Sequence, residues 1–215
     1  MKVGIVDYGI GNTKSLINAC LKIGLSDINL TDDEEQIYTS DLIILPGVGA
    51  FGNAMYELEK RGLIKTLKKY SSLNKPILGI CLGMQLLFES SEEFGNYSGI
   101  GLIKGEVRKL PNFVGHKIPH VSWNNLNISK DDLTLYRNIT KDDLFYFVHS
   151  FYCLPSDSSH VLSTTNYAGI DFCSSVRNDN VFGFQFHPEK SAPTGLMLLK
   201  NLIKLVENEY CNYNL

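Results

Sequence analysis

Cysteine-pair motifs are absent from this chain. Its cysteines, Cys20, Cys81, Cys153, Cys173 and Cys211, are odd in number and form no CxxC spacing. That argues against a disulfide framework or a structural zinc site, and fits a reducing cytosol better. No apolar stretch approaches the roughly 18 residues of a membrane span, and Lys2 is followed by too few apolar residues before Asp7 for a secretory leader. Excess positive charge is missing too. The net charge is -3 and Lys65-Thr66-Leu67-Lys68-Lys69 is the nearest thing to a basic run, on a helical pattern that reads as a solvated face, so no nucleic-acid partner is expected. Gly9-Ile10-Gly11 lacks the third glycine of a dinucleotide fingerprint, because Lys14 stands there, and no Walker-type loop exists. His116 and His120 are spaced for a metal pair on a helix, but Pro119 between them disfavours the helix. No cofactor and no metal is expected.

What is present is ordinary globular composition without linker, repeat or low-complexity tract, read as a single domain over 1–215. Residues 2–6, 28–30 and 41–45 read as strands. Leu16, Cys20 and Ile23 give helical spacing that stops at Gly24, with Asn12 placed to cap it. A helical stretch runs from about 53 to 70, with a break expected at Gly62. After Gly99 short β-like segments dominate: 102–110, 117–123, 144–152, 160–165, 172–177 and 181–186, with a hairpin turn over 177–180 and a last helix over about 194–207. The expected fold class is α/β: a mostly parallel sheet flanked by helices, with an antiparallel β addition.

The chemistry gathers at three places. Pro76-Ile77-Leu78 leads into Gly79-Ile80-Cys81-Leu82-Gly83 and then a helix-like run, Met84 to Glu89. Strand, sharp turn and helix with cysteine at the apex is the pattern of a nucleophile elbow, and a helix N-terminus behind Cys81 favours thiolate. The plain alternative is a buried structural cysteine. Gln85, four residues on, is on the same helix face, either as a substrate-side carboxamide or as an ordinary surface residue. His187 and Glu189 lie two apart, so on a strand they share a face and offer a base with an orienting carboxylate. His149 is the rival base. Pro46-Gly47-Val48-Gly49 ends a strand, and its Val48 N–H together with that of Leu82 can form an oxyanion hole; otherwise it is a tight turn. With glycine on both sides of Val48, the Gly47–Val48 peptide is expected to turn easily, donating to an oxyanion in one orientation and opposing it in the other.

These three motifs, with Met84-Gln85 and Lys190-Ser191 extending them, resemble the class I, or triad, glutamine amidotransferases. Asp7 to Asn12, Pro46 to Phe51, Ile118 to Asn124 and Tyr146 to Ser150 carry the likeness over nearly the whole length, toward members that work as glutaminase subunits in histidine biosynthesis. The resemblance implies that Cys81 attacks the side-chain amide of L-glutamine, that His187 relays the proton and that Glu189 orients it. It implies oxyanion donors at Val48 and Leu82, and substrate binding by Gly49, Gln85, Ser150 and Phe151. It implies a heterodimer with a (β/α)8-barrel cyclase that receives ammonia through a tunnel, with Asn12, Trp123, Tyr146 and Lys190 near that interface. Ser122 departs from the glycine usual there. The rival readings are a paralogue feeding surface-sugar synthesis, a cysteine peptidase or redox protein of related fold, and an inert binding subunit.

Overall fold

A computed structural model describes residues 1–112, 117–129 and 134–211; His116 lies outside them. Strands β1 (Lys2–Val6), β2 (Asp27–Thr31), β3 (Leu42–Leu45) and β4 (Ile77–Ile80) alternate with helices α1 (Thr13–Lys22), α2 (Glu34–Thr39), α3 (Phe51–Lys60) and α4 (Leu63–Ser72). Helix α5 (Leu82–Leu86) follows β4 directly. Then come β5 (Phe88–Ser91), β6 (Tyr97–Ser98), β7 (Ile103–Lys109), β8 (His120–Asn124), β9 (Asn127–Ile128), β10 (Phe145–His149), β11 (Phe151–Pro155), β12 (Val161–Tyr167), β13 (Ile170–Asn178), β14 (Val181–Phe184) and α6 (Ala192–Val206).

Among the described residues the main sheet runs β2-β1-β3-β4-β14-β13-β11-β7-β5-β6, with β12 and β9 branching from β13. The pairings from β2 through β14 are parallel, and β13 turns the sheet antiparallel. Buried strands such as Leu42-Ile43-Ile44-Leu45 are apolar on both faces, as a sheet covered on both sides requires. Alternate residues feed two cores. Leu42 and Ile44 pack with Leu16, Cys20, Leu198 and Leu202 of α1 and α6. Ile43 and Leu45 pack with Phe51, Leu58, Leu67 and Met84 of α3, α4 and α5. Among the described residues no helix is long and apolar enough to cross a membrane.

Several expectations need correction. The helix after Cys81 ends at Leu86, and Phe88 and Glu89 belong to β5, because the Leu87 carbonyl is taken by Leu102 and Ile103. The segment over 144–152 is two strands in different sheets, divided at Ser150. The strand begun at Val181 stops at Phe184, short of His187. Asn12 makes no side-chain cap to α1. Helix α2 went unread, although Asp33 caps it by accepting from the Gln36 N–H at 2.8 Å. The break at Gly62 is present, with φ +73°.

The strand order 2-1-3-4 places the ends of β1, β3, β4 and β14 around one crevice, where open α/β sheets bind ligands. Helix α5 enters this crevice so closely that a Cβ on Gly83 would sit 1.8 Å from the Leu45 carbonyl oxygen. Gly83→Ala is therefore expected to cost at least about 3 kcal/mol, at the upper end of overpacking effects. A urea unfolding midpoint equal to that of the unaltered protein would show that the contact is not limiting.

Candidate active site

Cys81 stands between β4 and α5 with φ 55° and ψ −110°, a backbone region that costs about 1–3 kcal/mol for a residue with a side chain. The turn is held by the Cys81 N–H donating to the Phe184 carbonyl at 2.7 Å and by the Gln85 N–H donating to the Cys81 carbonyl at 3.2 Å. A Cβ on Gly79 would meet the Gly83 backbone at 2.6 Å. The side chain opens into a cavity of about 310 Å³, and Val48, Gly49, Leu82, Gln85, Ser150, Phe151 and His187 line the same cavity.

His187 and Glu189 come together, though not as neighbours on a strand. Pro188 starts a 3-10 turn, Pro188–Lys190, which folds the carboxylate back so that Glu189 Oε1 lies 2.8 Å from His187 Nδ1. Proline suits the first position of such a turn because its φ is preset and no N–H is needed there. The two side chains are only 3% and 5% exposed. Burial opposes the charged imidazole, but the contacts with Cys81 and then Glu189 outweigh it and hold His187 well above its ordinary value. Since Nδ1 is taken by the carboxylate, coupling to the thiol runs through Nε2, which is buried and makes no conventional hydrogen bond. The His187 N–H donates to the Tyr146 carbonyl at 2.9 Å. The Ser191 hydroxyl donates to the His187 carbonyl at 2.6 Å and accepts the Tyr146 N–H at 2.9 Å.

His149 lines the same cavity and has a different task. Its Nδ1 faces the Phe151 carbonyl at 2.8 Å and must donate to it. Burial, then His120, pushes the ring down to about 3, so it is neutral and Nε2 accepts. His120 Nδ1, 3.0 Å away, therefore donates. His120 is itself lowered by burial, and its Nε2 lies 2.7 Å from the Ser122 hydroxyl and 3.2 Å from Asn124 Oδ1. The serine at this position sits between His120 and Asn124, whose Oδ1 accepts its hydroxyl. With both nitrogens committed, His149 is unsuited to be the base.

Gln85 donates from Nε2 to the Phe151 carbonyl at 3.0 Å and to Gln185 Oε1 at 3.1 Å. Its oxygen is what remains to turn toward a ligand. Two residues escaped the sequence reading. Gln185, fully buried, stands 3.9 Å from Cys81 Sγ; its place next to Phe186-His187 was the available signal. Glu93 lines the cavity, and its Oε2 accepts the Phe51 N–H at 2.6 Å. Burial raises its carboxyl, opposed by that N–H. Nothing local marks Glu93, which reaches the site from the turn between β5 and β6.

The residues expected near a partner divide. Trp123 and Tyr146 approach at 5.7 Å between ring centroids, and Lys190 Nζ lies 5.7 Å from the Tyr146 ring. Trp123 and Lys190 line an open groove beside α1. Asn12 instead lines a narrow cleft with Pro46, Val48, His187 and Glu189. The remaining buried thiols are inert by environment: Cys20 and Cys173 are each pushed up to about 12 by burial, and Cys153 is raised well above its ordinary value for the same reason.

Residues 4–205 match the profile of the family Glutamine amidotransferase class-I. A protein of Aquifex aeolicus (strain VF5) named imidazole glycerol phosphate synthase subunit HisH is 44% identical, over 96% of this chain and 98% of that protein. One of the same name from Bacillus cereus (strain G9842) is 46% identical, over 95% of each. Among solved structures, PurLQS from Thermotoga maritima superposes with a TM-score of 0.69 at 22% identity, covering 95% of this chain and 98% of that one. The glutaminase domain of Trypanosoma brucei CTPS with bound acivicin gives 0.61 at 17%, covering 95% and 94%. At those identities the solved structures share the fold.

The two histidines separate experimentally. His187→Ala is expected to slow alkylation of Cys81 at pH 7 by about 100-fold or more, the scale of a lost acid–base partner. His149→Asn should lower that rate far less, since it reaches Cys81 only indirectly, through the Phe151 backbone. A large loss in His149→Asn with little in His187→Ala would reverse the roles.

Proposed function

The chain belongs to the class-I glutamine amidotransferase family, and from that membership we propose that it is the glutaminase subunit of an imidazole glycerol phosphate synthase. The observation that carries the reading is the meeting of Cys81, His187 with Glu189 behind it, and the Val48–Gly49 loop at one small cavity. The names of the relatives, at 44–46% identity over nearly the full length, support the assignment.

L-glutamine enters with its side-chain amide against Cys81. The sulfur attacks the amide carbon, and the oxygen gathers negative charge opposite the N–H groups of Val48 and Leu82. His187 gives its proton to the nitrogen, the C–N bond breaks, and ammonia leaves a thioester on Cys81. Water then gives a proton to His187 and attacks the thioester; the C–S bond breaks and glutamate departs. Glu189 holds the ring in the tautomer that this exchange needs. Gly49, Gln85, Ser150 and Phe151 hold the rest of the substrate. Glu93 is the carboxylate within the cavity and offers a counter-charge to the substrate's α-ammonium.

Ammonia is consumed by a partner subunit, a (β/α)8-barrel cyclase, in the cytosol. The exposed Trp123 and the Tyr146–Lys190 pair form part of the surface that meets it, with Asn12 closer to the loop after β3. Holding back ammonia until the acceptor is bound fits a mobile Gly47–Val48 peptide, since a partner ligand favouring the donating orientation shifts its population.

The test is reconstitution with the cyclase and its nucleotide substrate. Glutamine should support cyclisation in the intact complex, and Cys81→Ser should abolish this while free ammonium still supports it. Failure with the cyclase alongside success with a sugar-modifying synthetase would assign a different partner. Glu93→Gln is expected to raise KM for glutamine about tenfold, or ~1.4 kcal/mol, with kcat little changed. An unchanged KM would remove Glu93 from substrate recognition.

A further inference from the structure

Gln185 follows the last residue of β14, and its N–H still donates to the Ser174 carbonyl at 2.9 Å. Phe184 and Phe186 on either side are fully buried, and so is Gln185. Its backbone and surroundings leave the carboxamide little freedom. The orientation of that carboxamide follows from its neighbours. The Phe151 carbonyl can only accept, so the Gln85 atom 3.0 Å from it is the amide nitrogen. The same nitrogen lies 3.1 Å from the Gln185 side chain, which must present its oxygen there. The Gln185 nitrogen is thereby turned to Cys81 Sγ, 3.9 Å away.

We infer that Gln185 is a further catalytic residue, whose amide N–H hydrogen-bonds the Cys81 thiolate, and that Gln85 is the positioning residue that sets its orientation. This rests on Cys81 being the nucleophile of the proposed glutaminase. The imidazolium of His187 and the amide of Gln185 then supply two donors to one sulfur. The His187 donor is spent in the reaction, because its proton leaves with ammonia. The Gln185 donor is not. When the thioester collapses, the C–S bond breaks and its electron pair returns to sulfur. Gln185 meets that charge with a dipole already oriented, while water's proton passes to His187. The apo separation is long for a hydrogen bond, and such contacts tighten as charge develops.

The chain of carboxamides also ties the nucleophile to the substrate pocket. Phe151, Gln85, Gln185 and Cys81 are linked in sequence, so displacement of the 150–151 backbone disturbs the donor on sulfur. The titratable groups around the sulfur are His187 with Glu189 behind it, His149 on β10, Tyr8 beyond β1, Cys153 on β11 and Glu93 across the cavity. Substituting Gln185 leaves all of them in place.

The experiment is the pH dependence of Cys81 alkylation by iodoacetamide on the full chain, with mass-spectrometric assignment. In Gln185→Met, of similar volume and without a donor, the half-plateau pH should rise by about one unit, a tenfold loss near neutrality. The plateau at high pH should be nearly unchanged. With glutamine in the reconstituted complex, rapid quenching should show more thioester than in the unaltered enzyme, because its breakdown slows. Gln185→Glu places an anion beside the sulfur and should shift the profile further in the same direction. If neither variant folds, Gln85→Leu releases the Gln185 amide without touching sulfur, and a smaller shift of the same sign is expected. A profile superimposed on that of the unaltered protein in whichever variant folds overturns the role of Gln185. Unchanged labelling in Cys81→Ser overturns the nucleophile itself, which is a different failure.

Discussion

The backbone of Cys81, held at φ 55° and ψ −110°, is the constraint on which the site depends. Such a conformation survives only where its surroundings over-determine it. Here β14 supplies the acceptor for the Cys81 N–H, α5 returns a donor to the Cys81 carbonyl, and β3 lies against Gly83. Two elements from distant parts of the sequence, β3 and β14, therefore converge on the turn together with the adjoining α5. The strain raises the thiol out of the sheet into the crevice, where the loop after β3 and the turn after β14 already face it. The loop after β3 is held from another side: the hydroxyl of Tyr8, beyond β1, donates to the Pro46 carbonyl at 2.6 Å, immediately before Gly47.

A second structure acts as a strut. Strand β10 pairs with β8 outside the main sheet, and its backbone reaches both halves of the chemistry. The Tyr146 carbonyl accepts from His187, and the Val148 carbonyl lies 3.9 Å from Cys81 Sγ. Side chains alternate along this ribbon. His120, Phe145, Phe147 and His149 face the interior, while Val121 and Trp123 are exposed. One ribbon thus has a dry face that holds the Phe151 backbone through His149 and a wet face that carries Val121 and Trp123. Coupling between the two needs no long pathway, since the strand is a single hydrogen-bonded unit.

What was legible in the sequence was local. The elbow could be read because its glycines and cysteine are consecutive and their steric reason is contained in a few residues. The parallel half of the sheet could be read because strands buried on both faces are continuous apolar runs. Contacts set by distant chain segments were not legible. His187 and Glu189 lie in hydrogen-bond contact, but a proline-led turn joins them and not the strand alternation expected. The break at Ser150 is invisible in the apolar run 144–152, because each half is a good strand and only the partner strands differ. Glu93 carries no local mark and Gln185 only its nearness to His187, as the meaning of both comes from what lies opposite them. His120 is of this kind too, since its hydrogen bond to His149 joins β8 to β10 and from there to Phe151.

The two histidines of the cavity show how little residue type decides. His187 and His149 are both buried, and desolvation disfavours the charged form of each. Beside His187 stand the Glu189 carboxylate and the Cys81 thiol, so a charge on the ring is met at once and the proton is retained. Beside His149 stand a carbonyl and a second imidazole. A proton there would find one acceptor on Nδ1 and a competing donor on Nε2, so the ring stays neutral and acts as a rigid spacer. One ring can carry a proton because its neighbours compensate the charge; the other holds backbone because its neighbours forbid it.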